Sequence, residues 1–217
     1  MKDLNIVIPV KNPGDAKERL SEVLTSEQRI VLAISLFQRV LAFFQEWNSA
    51  YHILVVTDSD RIEELANKMN ATVLKEEKAT GETDAIERAI IWSMNHGFNA
   101  QLVIPGDMAE LNSTEMEILL KHPRSDPSVI LCPATGDDGT NAVLSTPPNA
   151  IPFRFGLDSF PDYQERAQEN KVRCQILRLQ SFILDLDTPA DLKVFLKEYS
   201  GHPIHTLLTK WKIHEKL

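Results

Sequence analysis

Asp107, Asp185 and Asp187 are the residues whose type and setting point most directly to chemistry. Asp107 ends the apolar run Leu102-Val103-Ile104-Pro105-Gly106, while Asp185 and Asp187 alternate with leucine in Leu184-Asp185-Leu186-Asp187-Thr188-Pro189. At period two in an extended segment both carboxylates project to one side, and like charges that close repel unless a cation lies between them. Such oxygens suit Mg2+, which keeps several waters and is shared with substrate phosphates. Plainer readings stand beside this one. Asp107 could cap a helix starting at Ser113 or bind nearby turn amides, and Asp187 could belong to the helix start marked by Thr188 and Pro189.

A second constellation is cationic. In Pro9-Val10-Lys11-Asn12-Pro13-Gly14-Asp15-Ala16-Lys17-Glu18-Arg19-Leu20 a glycine-containing turn precedes a helix start, with Lys11, Lys17 and Arg19 beside it and Lys17 expected to point inward. Free backbone N–H groups and cations both attract a polyphosphate; the alternative is a capped helix with solvated cations. A third combines Gly136-Asp137-Asp138-Gly139-Thr140-Asn141-Ala142 with Pro152-Phe153-Arg154-Phe155-Gly156-Leu157-Asp158-Ser159-Phe160. Gly139 and Gly156 permit close backbone approach, and Thr140, Asn141 and Ser159 offer short donors for a phosphate or carboxylate. Ser159 reads equally as a helix N-cap. The chain has no Gly-x-Ser-x-Gly elbow, P-loop or Gly-x-Gly-x-x-Gly fingerprint, so acyl and hydride transfer have no residues to stand on. The six histidines are dispersed, and His202 and His205 are expected in solvent.

These residues need a scaffold that brings strand ends together. Short apolar runs rich in Val, Ile and Leu occupy 4–10, 51–57, 71–74, 101–105 and 128–133, with helical spacing over 26–47, 60–69, 83–96 and 113–121 between them. Alternating strand and helix specify an α/β three-layer, Rossmann-like sandwich with a mostly parallel sheet, whose ligands bind at the carboxyl ends of the strands. Beyond residue 140 strands are expected at 141–146 and 173–179 and helices at 159–170 and 189–199, around an irregular 151–156 segment, with a chain reversal or antiparallel edge. One domain over 1–199 is followed by a tail, 200–217, whose Ile204, Leu207, Leu208, Trp211 and Ile213 form an amphipathic helix able to dock on the domain or a second copy.

Length and 43% hydrophobic content suit one core, and the net charge of -8 argues against nucleic-acid or anionic-membrane partners. The apolar start is too short for an export signal. Residues 31–44 are interrupted by Gln38 and Arg39, so they read as an amphipathic helix and not a membrane span. Cys132 and Cys174 match no metal or redox spacing, in keeping with a reducing cytoplasm.

Taken together, Pro9-Val10-Lys11 with Ala16-Lys17-Glu18-Arg19-Leu20, Val103-Ile104-Pro105-Gly106-Asp107, Gly139-Thr140-Asn141-Ala142, Ile151-Pro152-Phe153-Arg154-Phe155-Gly156 with Ser159-Phe160, and Leu184-Asp185-Leu186-Asp187-Thr188-Pro189-Ala190-Asp191-Leu192 resemble the 2-phospho-L-lactate guanylyltransferase family of coenzyme F-420 biosynthesis. The match runs in order over nearly the whole chain, leaving out the tail. The resemblance implies a glycosyltransferase-A-like nucleotidyltransferase fold. It also implies transfer of GMP from GTP to 2-phospho-L-lactate, phosphoenolpyruvate or 3-phospho-D-glycerate, with release of pyrophosphate. Asp107, Asp185 and Asp187 would hold magnesium and, with Lys17, form the catalytic set. Thr140, Gly156 and Ser159, flanked by Asn141 and Arg154, would bind the acceptor, and Lys11, Lys17 and Arg19 the triphosphate. Further expectations are a homodimer and hand-over of the unstable product to the next enzyme of the pathway.

One departure concerns the base. Family members carry Gly-Leu-Asn where this chain has Gly81-Glu82-Thr83, and Glu82 is the residue expected to accept hydrogen bonds from the Watson–Crick N–H groups of guanine. Two other classes use similar residues: a sugar-phosphate nucleotidyltransferase or glycosyltransferase of the same superfold, and a non-catalytic nucleotide-binding module.

Overall fold

The computed structural model describes residues 2–48, 50–78, 81–121, 127–134, 138–154 and 158–217. Seven strands, β1 (Lys2–Pro9), β2 (His52–Thr57), β3 (Thr72–Lys75), β4 (Phe98–Val103), β5 (Ser128–Pro133), β6 (Thr140–Thr146) and β7 (Arg173–Ile176), form one sheet in the order β3-β2-β1-β4-β6-β5-β7. All neighbouring pairs are parallel except those of β6, which runs antiparallel to both β4 and β5. Of the expected chain reversal or antiparallel edge, the structure therefore has the reversal, inside the sheet and not at its edge. Burial explains the position: Thr140–Ser145 are buried throughout, and a strand covered on both faces belongs in the interior.

Side chains alternate across the sheet. Ile6, Ile8, Leu102, Leu144 and Ile130 face helix α1 (Ser26–Trp47), which contributes Ile34, Phe37, Val40, Leu41 and Phe44. Val7, Val103, Val143, Val129 and Leu131 face the other way, against α3 (Glu82–Asn95) and α5 (Ser159–Glu169). Each fully buried Leu, Ile or Phe here contributes about 1.5–3 kcal/mol. A capping box starts α1: Thr25 Oγ1 accepts from the Gln28 N–H at 3.2 Å and Gln28 Oε1 from the Thr25 N–H at 2.9 Å. By length and composition α1 could cross a membrane. Its buried residues are shared instead between the sheet and a third cluster.

That cluster joins Leu32 and Leu36 of α1 to Leu192 and Phe195 of α6 (Pro189–Glu198), Ile204 and Leu208 of α7 (Pro203–Lys210), and Leu20, Leu186 and Ile213. Residues of the tail thus pack on the domain's own apolar surface. His202 is not solvated as expected; it is the N-cap of α7, its Nδ1 accepting from the Ile204 N–H at 3.2 Å and its Nε2 lying 3.2 Å from Glu110 Oε2. The remaining helices, α2 (Asp60–Lys68) and α4 (Ser113–Lys121), complete the crossovers.

Candidate active site

Past its last paired residue, β4 keeps following β1: the Ile104 N–H donates to Val7 O at 3.0 Å and the Gly106 N–H to Pro9 O at 3.3 Å. This approach delivers Asp107 to the turn after β1. It needs glycine at 106, because a Cβ there would stand 2.7 Å from Val10 Cγ2, 3.3 Å from Ile8 Cγ2 and 3.4 Å from the Pro9 carbonyl oxygen. Gly106→Ala is therefore expected to destabilise the protein by about 1–3 kcal/mol and to lower activity further by displacing Asp107, as measured by denaturant unfolding and by turnover of the folded fraction.

The turn after β1 departs from the sequence expectation. No α-helix starts there; two 3-10 turns, Pro13–Asp15 and Glu18–Leu20, precede α1, whose N-cap is Thr25. Lys17 separates the two turns in a left-handed conformation (φ 57°), which costs an L-residue roughly 1–2 kcal/mol and breaks any continuing helix. The position is pinned by Arg29 Nη1, which donates to the Ala16 carbonyl at 3.2 Å, and by the Leu20 N–H, which donates to Lys17 O at 2.9 Å. Backbone strain held this way is common at functional sites. Here it turns the Lys17 side chain inward.

Lys17 Nζ donates to Asp107 Oδ2 and to Asp187 Oδ1, each at 2.7 Å. The lysine side chain is 1% exposed, and the carboxylates are 38% and 39% exposed toward the cavity. Burial opposes the ammonium charge, but Asp107 and Asp187 outweigh it and hold Lys17 well above the ordinary lysine range. Burial likewise pushes the Asp107 carboxyl up, and Lys17, aided by Lys11, brings it below its usual value.

Neither Asp107 nor Asp187 caps a helix. Asn112 Oδ1 accepts from the Thr114 and Glu115 N–H groups at 2.9 and 3.1 Å, so α4 needs no cap from Asp107. Thr188 and Asp191 form the capping box of α6, in which Asp191 Oδ2 also accepts from the Asp187 N–H at 3.1 Å. Asp187 lies just outside the helix with its carboxylate free for Lys17. Asp185 pairs in an isolated antiparallel bridge with Met108, the neighbour of Asp107.

The segment leading to Asp185 is tied down twice. Asn141 Nδ2 donates to Phe182 O at 2.9 Å, and the Glu115 carboxylate accepts from the Gln180 N–H, the Ser181 N–H and Ser181 Oγ at 2.9, 2.7 and 2.5 Å. Asn141, expected to touch the acceptor, thus holds the segment that carries an aspartate, and Glu115 is a positioning residue that sequence reasoning missed.

Burial and the charges of Asp107 and Asp187 push the Asp185 carboxyl up to about 6. A carboxyl raised in the folded state favours folding when protonated, so its contribution falls as pH rises from about 4 through 6. Asp185→Asn removes that repulsion. The metal-free variant is expected to melt roughly 3–6 °C above the wild type at pH 8, with no gain at pH 4, measured by calorimetry in the presence of chelator.

Among the described residues no three His, Cys, Asp or Glu side chains converge to enclose a metal ion. Mg2+ needs no such cage, being commonly held by one or two carboxylates plus substrate phosphates. Asp107 and Asp187, partly open to the cavity, suit that mode. The surplus negative charge felt by Asp185 suits an added cation.

The cavity, about 530 Å3, opens over the carboxyl ends of β1, β2, β3 and β4. Lys11, Lys17, Arg19, Gly81, Glu82, Asp107, Thr140, Asn141, Asp185 and Asp187 all line it. Glu82 is half-buried, and burial with Asp107 nearby pushes its carboxyl up to about 7 despite Lys11. Ser159 is the first residue of α5, not its cap: Asp158 is the N-cap, and Ser159 Oγ donates to Thr140 Oγ1 at 3.3 Å behind the cavity wall. The Arg154 side chain is 58% exposed, its Nη1 lies 3.9 Å from Asp162 Oδ1, and it does not line the cavity. Gly156 lies outside the described residues. The structure adds Asp58 and Glu76, directly after β2 and β3, to the cavity wall. Their place directly after a strand is the same signal that marks Asp107 after β4.

Residues 4–215 match the family described as guanylyl transferase CofC like. The chain is 49% identical over 190 residues to 3-phospho-D-glycerate guanylyltransferase of Colwellia psychrerythraea, covering 88% of this chain and 90% of that protein. It is 29% identical over 187 residues to phosphoenolpyruvate guanylyltransferase of Conexibacter woesei, covering 86% and 84%. In fold it is similar to a candidate nucleotide-diphospho-sugar transferase from Desulfovibrio desulfuricans G20, with a TM-score of 0.77 at 16% identity over 100% of this chain and 99% of the other. A match over nearly all its length, on a nucleotidyltransferase scaffold with carboxylates and cations at its strand ends, places the chain in the CofC-like guanylyl transferase family.

Proposed function

We propose that the chain transfers GMP from GTP to the phosphate of 3-phospho-D-glycerate, releasing pyrophosphate, with Mg2+ as the metal and coenzyme F-420 biosynthesis as the route it serves. The observation that carries the chemistry is the Lys17-bridged pair Asp107 and Asp187 with Asp185 beside it, facing a cavity that Lys11 and Arg19 also line. The acceptor follows from the 49% identical Colwellia psychrerythraea relative, which is named for 3-phospho-D-glycerate.

An acceptor phosphate oxygen attacks the α-phosphorus of GTP. The new P–O bond forms as the bond to the β-phosphate oxygen breaks, and its electrons leave with pyrophosphate. The acceptor is already ionised at neutral pH, so no side-chain nucleophile or general base is required, and the enzyme's task is alignment and charge neutralisation. Lys11 and Arg19 attract the triphosphate. Lys17 fixes the geometry of Asp107 and Asp187 before substrate arrives. Thr140, backed by Ser159, offers a hydroxyl toward the acceptor from the β6 side of the cavity. Asp107, Asp185 and Asp187 would hold Mg2+, which would supply electrophilic polarisation and charge neutralisation to the reacting phosphates.

Incubating purified protein with GTP, Mg2+ and each of 3-phospho-D-glycerate, phosphoenolpyruvate and 2-phospho-L-lactate, with mass-spectrometric detection of products, tests this reading. The mass of the 3-phospho-D-glycerate–GMP anhydride should dominate. A dominant product from another acid overturns the acceptor assignment, and none from any acid overturns the reaction.

A further inference from the structure

We propose that Glu76 and Asp58 read the nucleotide base, accepting hydrogen bonds from the N1–H and exocyclic N2–H groups of guanine. The inference rests on the guanylyl-transfer reading above and adds the residues that select the nucleotide.

Both carboxylates sit where a base is expected. Strand order β3-β2-β1-β4 and a spacing of about 4.8 Å put the ends of β2 and β3 roughly 10 and 14 Å from the end of β4, which carries Asp107. A nucleotide with its phosphates over β1 and β4 extends its base toward β2 and β3. The two turns are joined, since the Glu76 N–H donates to Thr57 O at 2.9 Å.

Neither carboxylate has the structural occupation its position would suggest. Ser59, not Asp58, caps α2, its Oγ accepting from the Ile62 N–H at 3.4 Å. Lys75, next to Glu76, is taken by Asp60 and Glu63 at 2.6 and 3.1 Å. Glu76 is 6% exposed, lines the cavity, and its Oε1 is buried without a hydrogen bond; Arg88 Nη1 stands 3.5 Å away. Asp58 Oδ1 is buried in the same condition. A buried acceptor without a donor is costly unless a ligand supplies one. Burial pushes the Glu76 carboxyl up, Arg88 only partly opposes this, and Asp58 adds to it, so N–H donors entering here would relieve both groups.

Guanine alone among the common bases presents adjacent ring N–H and amino donors on one edge. Adenine and cytosine set a ring-nitrogen lone pair beside the amino group, against a carboxylate oxygen. The charges that bear on Glu82 are Asp107, Lys11 and Asp187, whereas those on Glu76 are Arg88, Asp58 and Asp84. Glu82 therefore stands on the phosphate side, and base reading passes from it to Glu76 and Asp58.

Glu76→Gln and Asp58→Asn keep shape and replace an acceptor oxygen by a donor amide. The test measures kcat/KM and calorimetric Kd with GTP, ITP, which lacks the N2 amino group, and ATP. Wild type should prefer GTP over ITP by about 10–100-fold, the scale of hydrogen bonds to a charged group. Glu76→Gln should bring that ratio near one, and Asp58→Asn should lower the preference for GTP over ATP at least tenfold. A melting temperature at or above that of wild type shows that Glu76→Gln remains folded. If both variants lose affinity equally for all three nucleotides, the pair binds the ribose and the inference is overturned; unchanged ratios overturn it too. Absence of turnover by wild type would count against guanylyl transfer itself, and the binding ratios would still decide the base-reading assignment.

Discussion

Asn in place of Asp107 or Asp187 is expected to slow pyrophosphate release by at least about 10³-fold at saturating GTP and Mg2+, with the melting temperature little changed. The magnitude follows from removing a charge that organises the reacting phosphates, a group of effects worth several kcal/mol in the transition state. The stability side follows from the geometry. Either single variant leaves Lys17 one full carboxylate partner at 2.7 Å and an amide oxygen in place of the other. The double variant leaves the buried ammonium without a counter-charge and should be strongly destabilised. Single-turnover kinetics with calorimetry separates the two effects. Near-normal turnover in either single variant would remove that aspartate from the catalytic set.

Lys17→Met should lower turnover by about 10²-fold and reduce the stability of the metal-free protein by a few kcal/mol, a drop of roughly 4–8 °C in melting temperature. The estimate lies at the low end for a buried pair because both carboxylates are more than a third exposed. Its pH dependence is specific. Lys17 is raised above its ordinary 10.5, so its contribution is complete below that pH and lost as pH climbs through the higher folded value. Asp107 is lowered from its ordinary 3.8, so its contribution is present above that pH and lost as pH falls through the lower folded value. The difference between wild type and variant should therefore be widest from about pH 4 to 10.5 and close in stronger acid. With the ammonium gone, burial acts on Asp107 with its main opponent removed and Lys11 left to oppose it, and the acidic limb of the activity profile should move to higher pH. Restoration of the melting temperature by added Mg2+ would show that a cation is what the three carboxylates need. A pH-independent stability difference would show that packing, not charge, is what Lys17 supplies.

Much of the fold was legible because its signals are local. The hydrophobic spacing of α1 matches Ser26–Trp47, and the Ser128–Pro133 run is a strand with every residue buried. Thr188-Pro189 announced a helix start, which a capping box between Thr188 and Asp191 realises in α6. Less legible was the stretch between Pro13 and Leu20, where cations around a glycine suggested a helix N-terminus and two 3-10 turns stand instead. What broke the helix was the left-handed conformation at Lys17, which carries its ammonium to Asp107 and Asp187, 90 and 170 residues away in sequence. His202 was misplaced for the same reason, since its partner Glu110 is distant along the chain.

The residue types at strand ends, the two-residue spacing of Asp185 and Asp187, and the ordered motifs from Pro9 to Leu192 were enough for the sequence alone to determine an α/β nucleotidyltransferase of the guanylyl transferase family. The α/β pattern depends on periodicity and turn chemistry, which act over a few residues, whereas the family rests on the resemblance that the ordered motifs carry. The tertiary structure alone decided that Lys17 bridges two aspartates, that Asn141 and Glu115 hold the Asp185 segment, and that Asp58 and Glu76 complete the cavity wall. Each of those arrangements depends on which strand lies beside which, and in the order β3-β2-β1-β4-β6-β5-β7 half of the neighbouring pairs are not consecutive in sequence.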